Sequence, residues 1–353
     1  MVTESSLGLI GGAASLGMLL TFIAGRLSDR FGRLVILGAG NLTMIFGTGI
    51  AYFAHDSTLL FVAIFLQSVG VALIESSINT MMAEIHAGSS GRALGIYHGV
   101  WAMGAITGPA LLTYMISVNL DWHHFYLAYS LAYALVFGSS FAILKKIAYS
   151  SKSRILKRGP TKMTATELRL VVLFIFAAFL VSGVHTGIGA WLSSYLIIGK
   201  GFSIEWAGTT FILFMASVGI GRFVSASFVD RLGYRNVMFA ASILAATSIL
   251  IALTMNVSVF LIGSWCVAGL FLSPCLPTLV TRANVTFPAK AGFITGIIFT
   301  FMAVGGFVST WFIGILIQSF SLYVGMVFIA LELIMIATLQ IVERGWKRSG
   351  DAH

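Results

Sequence analysis

Eleven apolar runs, each close to the length of a bilayer crossing, constrain this chain more than any other feature. They cover residues 7–23, 34–53, 59–85, 93–118, 125–144, 170–198, 204–224, 237–253, 259–280, 292–317 and 322–341. A helix needs about 20 apolar residues to cross the hydrocarbon core. Inside that core a segment must satisfy its own backbone N–H and C=O groups, which leaves helices or a closed barrel. Barrel strands are short and alternate in polarity, whereas these runs are long and continuous. The expected fold is all-α and membrane-embedded. Composition agrees: 58% of residues are apolar, 9% are charged, and the mean hydropathy is +0.98, well beyond what a soluble domain carries.

The net charge of +9 raises the question of a nucleic-acid partner. The distribution excludes it, because the basic residues sit in alternate loops and form no single stripe. Placing the loop 25–33 inside also places inside Arg92, the segment 145–169, Arg231, Arg235, Arg282, Lys290 and the tail residues Arg344, Lys347 and Arg348. Of the 21 basic residues, only Lys200 then falls outside. Lys and Arg accumulate in cytoplasmic loops, so the amino terminus is expected outside and the carboxyl terminus in the cytoplasm. The partner implied is the lipid bilayer of the plasma membrane, crossed many times by a monomer. Cys266 and Cys275 share one apolar run, which argues against a disulfide framework, and no residue cluster suggests a metal or a cofactor. The start, Met-Val-Thr-Glu, lacks the positive region of a signal peptide.

The loop Gly25-Arg26-Leu27-Ser28-Asp29-Arg30-Phe31-Gly32-Arg33 is echoed later as Asp230-Arg231-Leu232-Gly233-Tyr234-Arg235. Asp29, Arg30 and Gly32 each recur 201 positions on, and the same offset links Gly91 to Gly292, Gly95 to Gly296 and Gly104 to Gly305. An ungapped register over that distance is what an internal duplication leaves. It divides the chain into a five-helix bundle (1–147), a basic cytoplasmic linker (148–166) and a six-helix bundle (167–353). At this offset the run 170–198 pairs with positions before Met1, so one helix is expected to be missing from the front.

Glu75 is the sharpest single signal. A carboxylate in mid-helix is costly in hydrocarbon and faces a cavity or a partner. Gln67, Glu75 and Asn79 fall on the series 67, 71, 75, 79 and so share one helical face, which suggests a polar lumen. His98 and His185 are the histidines inside apolar runs, and either can share a proton with Glu75. Trp191 lies six residues past His185 in the same apolar run and offers an aromatic surface. Glu332 lies inside the last run, and the family resemblance described below implies a lipid-adjacent or helix-interface position for it. Glu84 and Arg92 flank a turn and read as loop electrostatics. No His-Glu-x-x-His, acid pair or nucleophile–base set marks an enzyme.

Two helical-bundle halves related by a repeat, with a basic central loop, resemble the major facilitator superfamily, and the loop Gly25-x-Leu27-x-Asp29-Arg30-x-Gly32-Arg33 resembles its signature loop. The resemblance implies a fold of eleven transmembrane helices, the family's twelve minus the first. It also implies a cytoplasmic gate latched by Gly25, Asp29, Arg30, Gly32, Arg33, Asp230 and Arg231. Within the superfamily, Glu75-x-x-x-Asn79, Leu94 to Gly99 with Gly104 to Pro109, Ser182 to His185 with Trp191 to Tyr195, and Ser273 to Thr278 resemble the fucose-permease-like proton-coupled sugar transporters. Many members of that branch carry Glu where this chain has His185. The implied function is proton-coupled uptake of a sugar or similar small polar solute by alternating access. Gly95-x8-Gly104-x3-Gly108-Pro109 also resembles the signature of drug/proton antiporters, but Leu112 and Thr113 replace its glycines and close helix packing is the preferred account. A non-transporting, truncated membrane protein is the third reading.

Overall fold

The computed structural model describes residues 17–86, 88–151 and 163–350. Side chains at 109, 110, 112, 113, 116, 117, 140–151 and 344–350 are outside that description. So are the expected linker's residues 152–162 and most of the first apolar run. Among the described residues the chain is helical and contains no strand. The helices are α1 (Thr21–Phe31), α2 (Arg33–Tyr52), α3 (Ser57–Ile85), α4 (Ser90–Ser117), α5 (Trp122–Ser151), α6 (Ala165–Ser194), α7 (Ile204–Ala226), α8 (Val229–Leu232), α9 (Tyr234–Thr254), α10 (Ser258–Leu272), α11 (Cys275–Thr286), α12 (Ala291–Ser319) and α13 (Leu322–Gly350).

Eight helical segments among the described residues are long and apolar enough to cross a membrane. One of them joins α10 to α11 across the Ser273-Pro274 break. The helices α4 and α5 cover the expected runs 93–118 and 125–144, while α1 carries only the end of the run 7–23, most of which lies outside the described residues.

Local chemistry explains the ends. Thr164 accepts the Glu167 N–H at 3.1 Å while Glu167 accepts the Thr164 N–H at 2.8 Å. This reciprocal capping box starts α6 just after the basic segment. At Gly32 and Gly233 φ is +98° and +83°, a left-handed conformation that a Cβ disfavours. These two residues are the 201-offset pair, and each turns the chain directly into the next long helix. The shared glycine of the repeat is thus a backbone requirement met twice.

Packing divides the chain into two compact units. Unit 1 comprises Met1–Ile85, Thr107–Thr161 and Asn284–Thr300; unit 2 comprises His86–Ile106, Lys162–Ala283 and Phe301–His353. The start of α4 therefore belongs to unit 2 and the start of α12 to unit 1. The expected halves follow the sequence repeat, whereas these units follow which helices touch.

In unit 1, α3 packs against α2 and α1, and α5 packs on the other side of α2. Small residues permit the approach: Ala51, Ala63 and Ala72 are fully buried. At one end His123 joins two connections. Its Nδ1 lies 2.5 Å from the Asp121 carboxylate and its Nε2 lies 3.1 Å from the Ala54 carbonyl. In unit 2, α9 packs against α10 and α13, α7 against α10, and α6 against α13. Its core is built on Trp265, Phe214, Leu192, Leu196, Met238 and Ile249, all buried. The helix α6 ends in a π-helical turn, Tyr195–Gly199. Lys200 follows it and donates to the carbonyls of Leu253 and Met255 at 3.0 and 2.8 Å, satisfying groups that the end of α9 leaves open.

Candidate functional site

The polar residues of α3 form the first group. Glu75 is 7% exposed and Asn79 is fully buried. The Asn79 amide donates to the Glu75 carboxyl at 2.6 Å and to its backbone carbonyl at 2.8 Å. The four-residue spacing seen in the sequence is thus realised as a bonded pair. Gln67 does not join it. Its amide donates to the Gly47 carbonyl of α2 at 3.4 Å, and the eight-residue step turns it about 80° around the helix from Glu75 at 3.6 residues per turn.

His98, His185 and Trp191 lie in unit 2. His98 is buried at 3% exposure, and its backbone carbonyl accepts from the Arg222 guanidinium at 2.8 Å. The same guanidinium lies over the Trp101 ring at 5.5 Å. Arg222 is itself only 3% exposed, deep in α7. The sequence reading missed it by counting it with the cytoplasmic bases, although it falls within the apolar run 204–224. An arginine in such a run faces a cavity or a partner, and that signal was available. The Nε2 of His185 is buried without a hydrogen-bond partner among the described residues. Trp191 points elsewhere: its indole N–H donates to the Thr310 carbonyl of α12 at 3.3 Å.

The loop residues form the second group. In unit 1 Asp29 accepts the backbone N–H of Phe293 at 2.8 Å and pairs with Arg33. Arg33 extends the chain to Glu84 at 3.0 Å, so Glu84 is part of this network. In unit 2 Asp230 accepts the N–H groups of Gly91 and Arg92, both at 2.9 Å, and the Tyr234 hydroxyl at 2.7 Å. Each aspartate therefore sits on the start of a long helix, α12 and α4 respectively. Open N–H groups and the helix dipole favour an anion there. The glycines of the repeat make room. A Cβ on Gly292 would lie 2.5 Å from Asp29 Oδ1, and one on Gly91 would lie 2.6 Å from Asp230 Oδ1. Gly25 packs on Gly292 and Gly296. Arg30 and Arg231 remain exposed. Gly95 meets Ala226, whereas Gly104 and Gly108 face open space among the described residues. Close packing therefore accounts for the first glycine of that signature and not for the other two.

Glu332 is 1% exposed. Of the two positions expected for it, the helix interface is the one it occupies. Among the described residues no group of His, Cys, Asp and Glu can hold a metal ion.

The sequence profile of the Major Facilitator Superfamily matches residues 1–310. The chain belongs to the Major Facilitator Superfamily. It is a multi-pass membrane protein of a transporter family and not an enzyme. The fold superposes on FucP, the fucose:proton symporter of E. coli, solved in the outward conformation. The TM-score is 0.76 at 17% identity, covering 97% of this chain and 91% of FucP. A Bacillus subtilis relative assigned on a provisional basis as the niacin/nicotinamide transporter NiaP is 24% identical over 82% of this chain and 76% of its own length. The glucose/mannose transporter GlcP of the same organism is 20% identical over 77% of this chain and 69% of its own length.

Proposed function

We propose that this chain is a proton-coupled secondary transporter of a small polar solute, with a sugar as the favoured substrate. It works as a monomer in the plasma membrane, with its carboxyl terminus in the cytoplasm. The observation that carries this reading is the buried Glu75–Asn79 pair. A carboxyl group buried in mid-helix beside an amide is able to load and release a proton. Arg222, bonded to the His98 carbonyl, and His185 add further polar groups within unit 2, and Trp191 an aromatic one. The resemblance to sugar symporters, the fold likeness to FucP and the relationship to GlcP favour a sugar over a lipophilic drug. The relationship to NiaP makes nicotinate the comparison solute.

The test is uptake into proteoliposomes under an imposed pH gradient, with labelled hexoses, pentoses, 6-deoxyhexoses and nicotinate. Accumulation of a sugar that collapses with a protonophore is the expected result. Accumulation that ignores the pH gradient overturns proton coupling, and accumulation of nicotinate alone overturns the sugar assignment.

A further inference from the structure

We propose that Glu332 is a second proton-binding residue, housed within unit 2, with the Ser309 hydroxyl as its partner and α6 as the helix that responds to its charge. The proposal deepens the proton-coupled reading above and rests on it.

Glu332 lies half-way along the crossing segment Leu322–Glu343, at 1% exposure. It contacts neither lipid nor water. One carboxyl oxygen accepts the Ser309 hydroxyl. The other, Oε2, has no hydrogen-bond partner among the described residues. An ionised carboxylate at this depth, with one neutral donor, is far too costly, so the group here is the acid. Ser309 occupies Oε1 as a donor, which leaves the proton on Oε2 with no acceptor. Buried polar groups are otherwise satisfied. An acid held with half of its hydrogen bonding open is poised to lose its proton once water or a partner reaches Oε2.

The surroundings show how that event is felt. Gly183 of α6 lies directly against the pair: a Cβ there would sit 2.7 Å from Glu332 Oε1 and 2.8 Å from Ser309 Cβ. Nothing but a glycine leaves space for the carboxyl group. The neighbour of Ser309 on α12, Thr310, donates its hydroxyl to Thr186 at 3.1 Å and accepts the Trp191 indole at 3.3 Å. Thr186 in turn donates to the Gly306 carbonyl at 3.1 Å. Beside the buried pair, α6 and α12 are thus joined by hydrogen bonds that reach the exposed Thr186.

The elements packed on this acid are α6, α9, the π-helical turn and α12. Their titratable or charged groups are Glu167, Arg169 and His185 on α6, Tyr234 and Arg235 at the start of α9, and Tyr195 in the turn; α12 has none. On α13, Tyr323 and Glu343 are the others with described side chains. His185 is two residues beyond Gly183 and so lies on the opposite side of α6. Glu343 pairs with Arg282. The event itself is minimal: the Glu332 O–H bond breaks, the proton passes to water, and the electron pair stays on the carboxylate. Reprotonation from the opposite aqueous phase completes one transfer.

Infrared difference spectroscopy of the reconstituted protein across a pH titration tests this without a substrate. In the wild type and in Glu75→Gln, a protonated-carboxyl band assigned to Glu332 is expected to fade as pH rises. It should be absent in Glu332→Gln, shifted in Glu332→Asp, and altered in midpoint in Ser309→Ala. A band that persists at every pH, or one that Glu332→Gln leaves intact, overturns the proposal. In pH-driven uptake, Glu332→Gln is expected to lower the proton:solute ratio, and an unchanged ratio overturns the coupling role. A wild type that shows no pH-driven uptake sinks the proton-coupled reading instead, and the titration still decides whether Glu332 binds and releases a proton.

Discussion

The Asp29 carboxylate accepts the backbone N–H of Phe293 at 2.8 Å, and its repeat partner Asp230 does the same at Arg92 at 2.9 Å. Residues 92 and 293 are themselves 201 apart, so each half of the repeat supplies both an anion and a helix start. The duplication has kept a contact with both of its ends.

Asp29→Asn removes the charge from this cap and keeps an acceptor. The loss is expected to be about 1–2 kcal/mol, the range for a charge-assisted bond at a helix start. Solute exchange across the membrane should slow several-fold while equilibrium binding of the solute changes little. Measuring both on one preparation decides it, and equal losses in the two rule out a gating role.

Gly292→Ala and Gly91→Ala should each mimic loss of the facing aspartate, since the new methyl would occupy space held by a carboxylate oxygen. Contacting residues couple non-additively. The double variant Asp29→Asn with Gly292→Ala should therefore be little worse in thermal stability than either single variant. Full additivity in detergent-solubilised melts would show that the two residues do not act on one contact.

Glu75→Gln fixes the group as neutral while retaining an oxygen for the Asn79 amide. Net accumulation driven by a pH gradient should vanish, and solute-for-solute exchange should survive because it moves no net proton. A variant that still concentrates solute makes Glu75 structural.

The position of the Glu75–Asn79 pair was legible because one helix carries both residues and a spacing of four suffices to join them. Gln67 shows the limit of that reasoning. Over eight residues the helical drift becomes large enough to hand its amide to a carbonyl of α2. Arg222 was legible as an anomaly, a cation in an apolar run, but its meeting with His98 and Trp101 joins helices far apart in the sequence, and no local pattern encodes that. Likewise the basic loop was legible as a loop, whereas the amide that donates to Asp29 lies 264 positions away.

His123 gives a pH dependence with a definite sign. Both of its ring nitrogens face acceptors, a carboxylate and a carbonyl. Only the imidazolium donates from both. Burial draws its pKa down, but the bonds to Asp121 and Ala54 outweigh that and raise it. Asp121, bonded to the His123 backbone N–H and ring, is held low. A raised base stabilises fully below its ordinary value, near 6.5, and the benefit fades as pH climbs through the folded value. A lowered acid stabilises above its ordinary value, near 3.9, and fails as pH falls through the folded one. The clamp is complete between these values. Hydrogen exchange at residues 52–60, corrected for intrinsic rates, should quicken from pH 6 to pH 8 in the wild type and show no such change in His123→Gln.

Arg282 pairs with Glu343, donates to Gln340 at 2.5 Å and lies over Phe174 at 5.4 Å. Removing one partner of a buried pair strands the other charge, at a cost of about 3–5 kcal/mol. Arg282→Met should lower the melting temperature more than the double variant Arg282→Met with Glu343→Met. The reverse order would show that the pair is solvated.

The helix-start contacts also set a schedule for biosynthesis. Gly91 is already made when Asp230 leaves the ribosome, 139 positions later. Asp29 must wait for Phe293, 264 positions downstream, which at roughly 5–20 residues per second is about 13–53 s. Through that interval the nascent first bundle has a carboxylate without its amide and lacks the helix that completes unit 1. Until then Asp29 has its local partner Arg33 but not the amide that ties it to the far end of the chain.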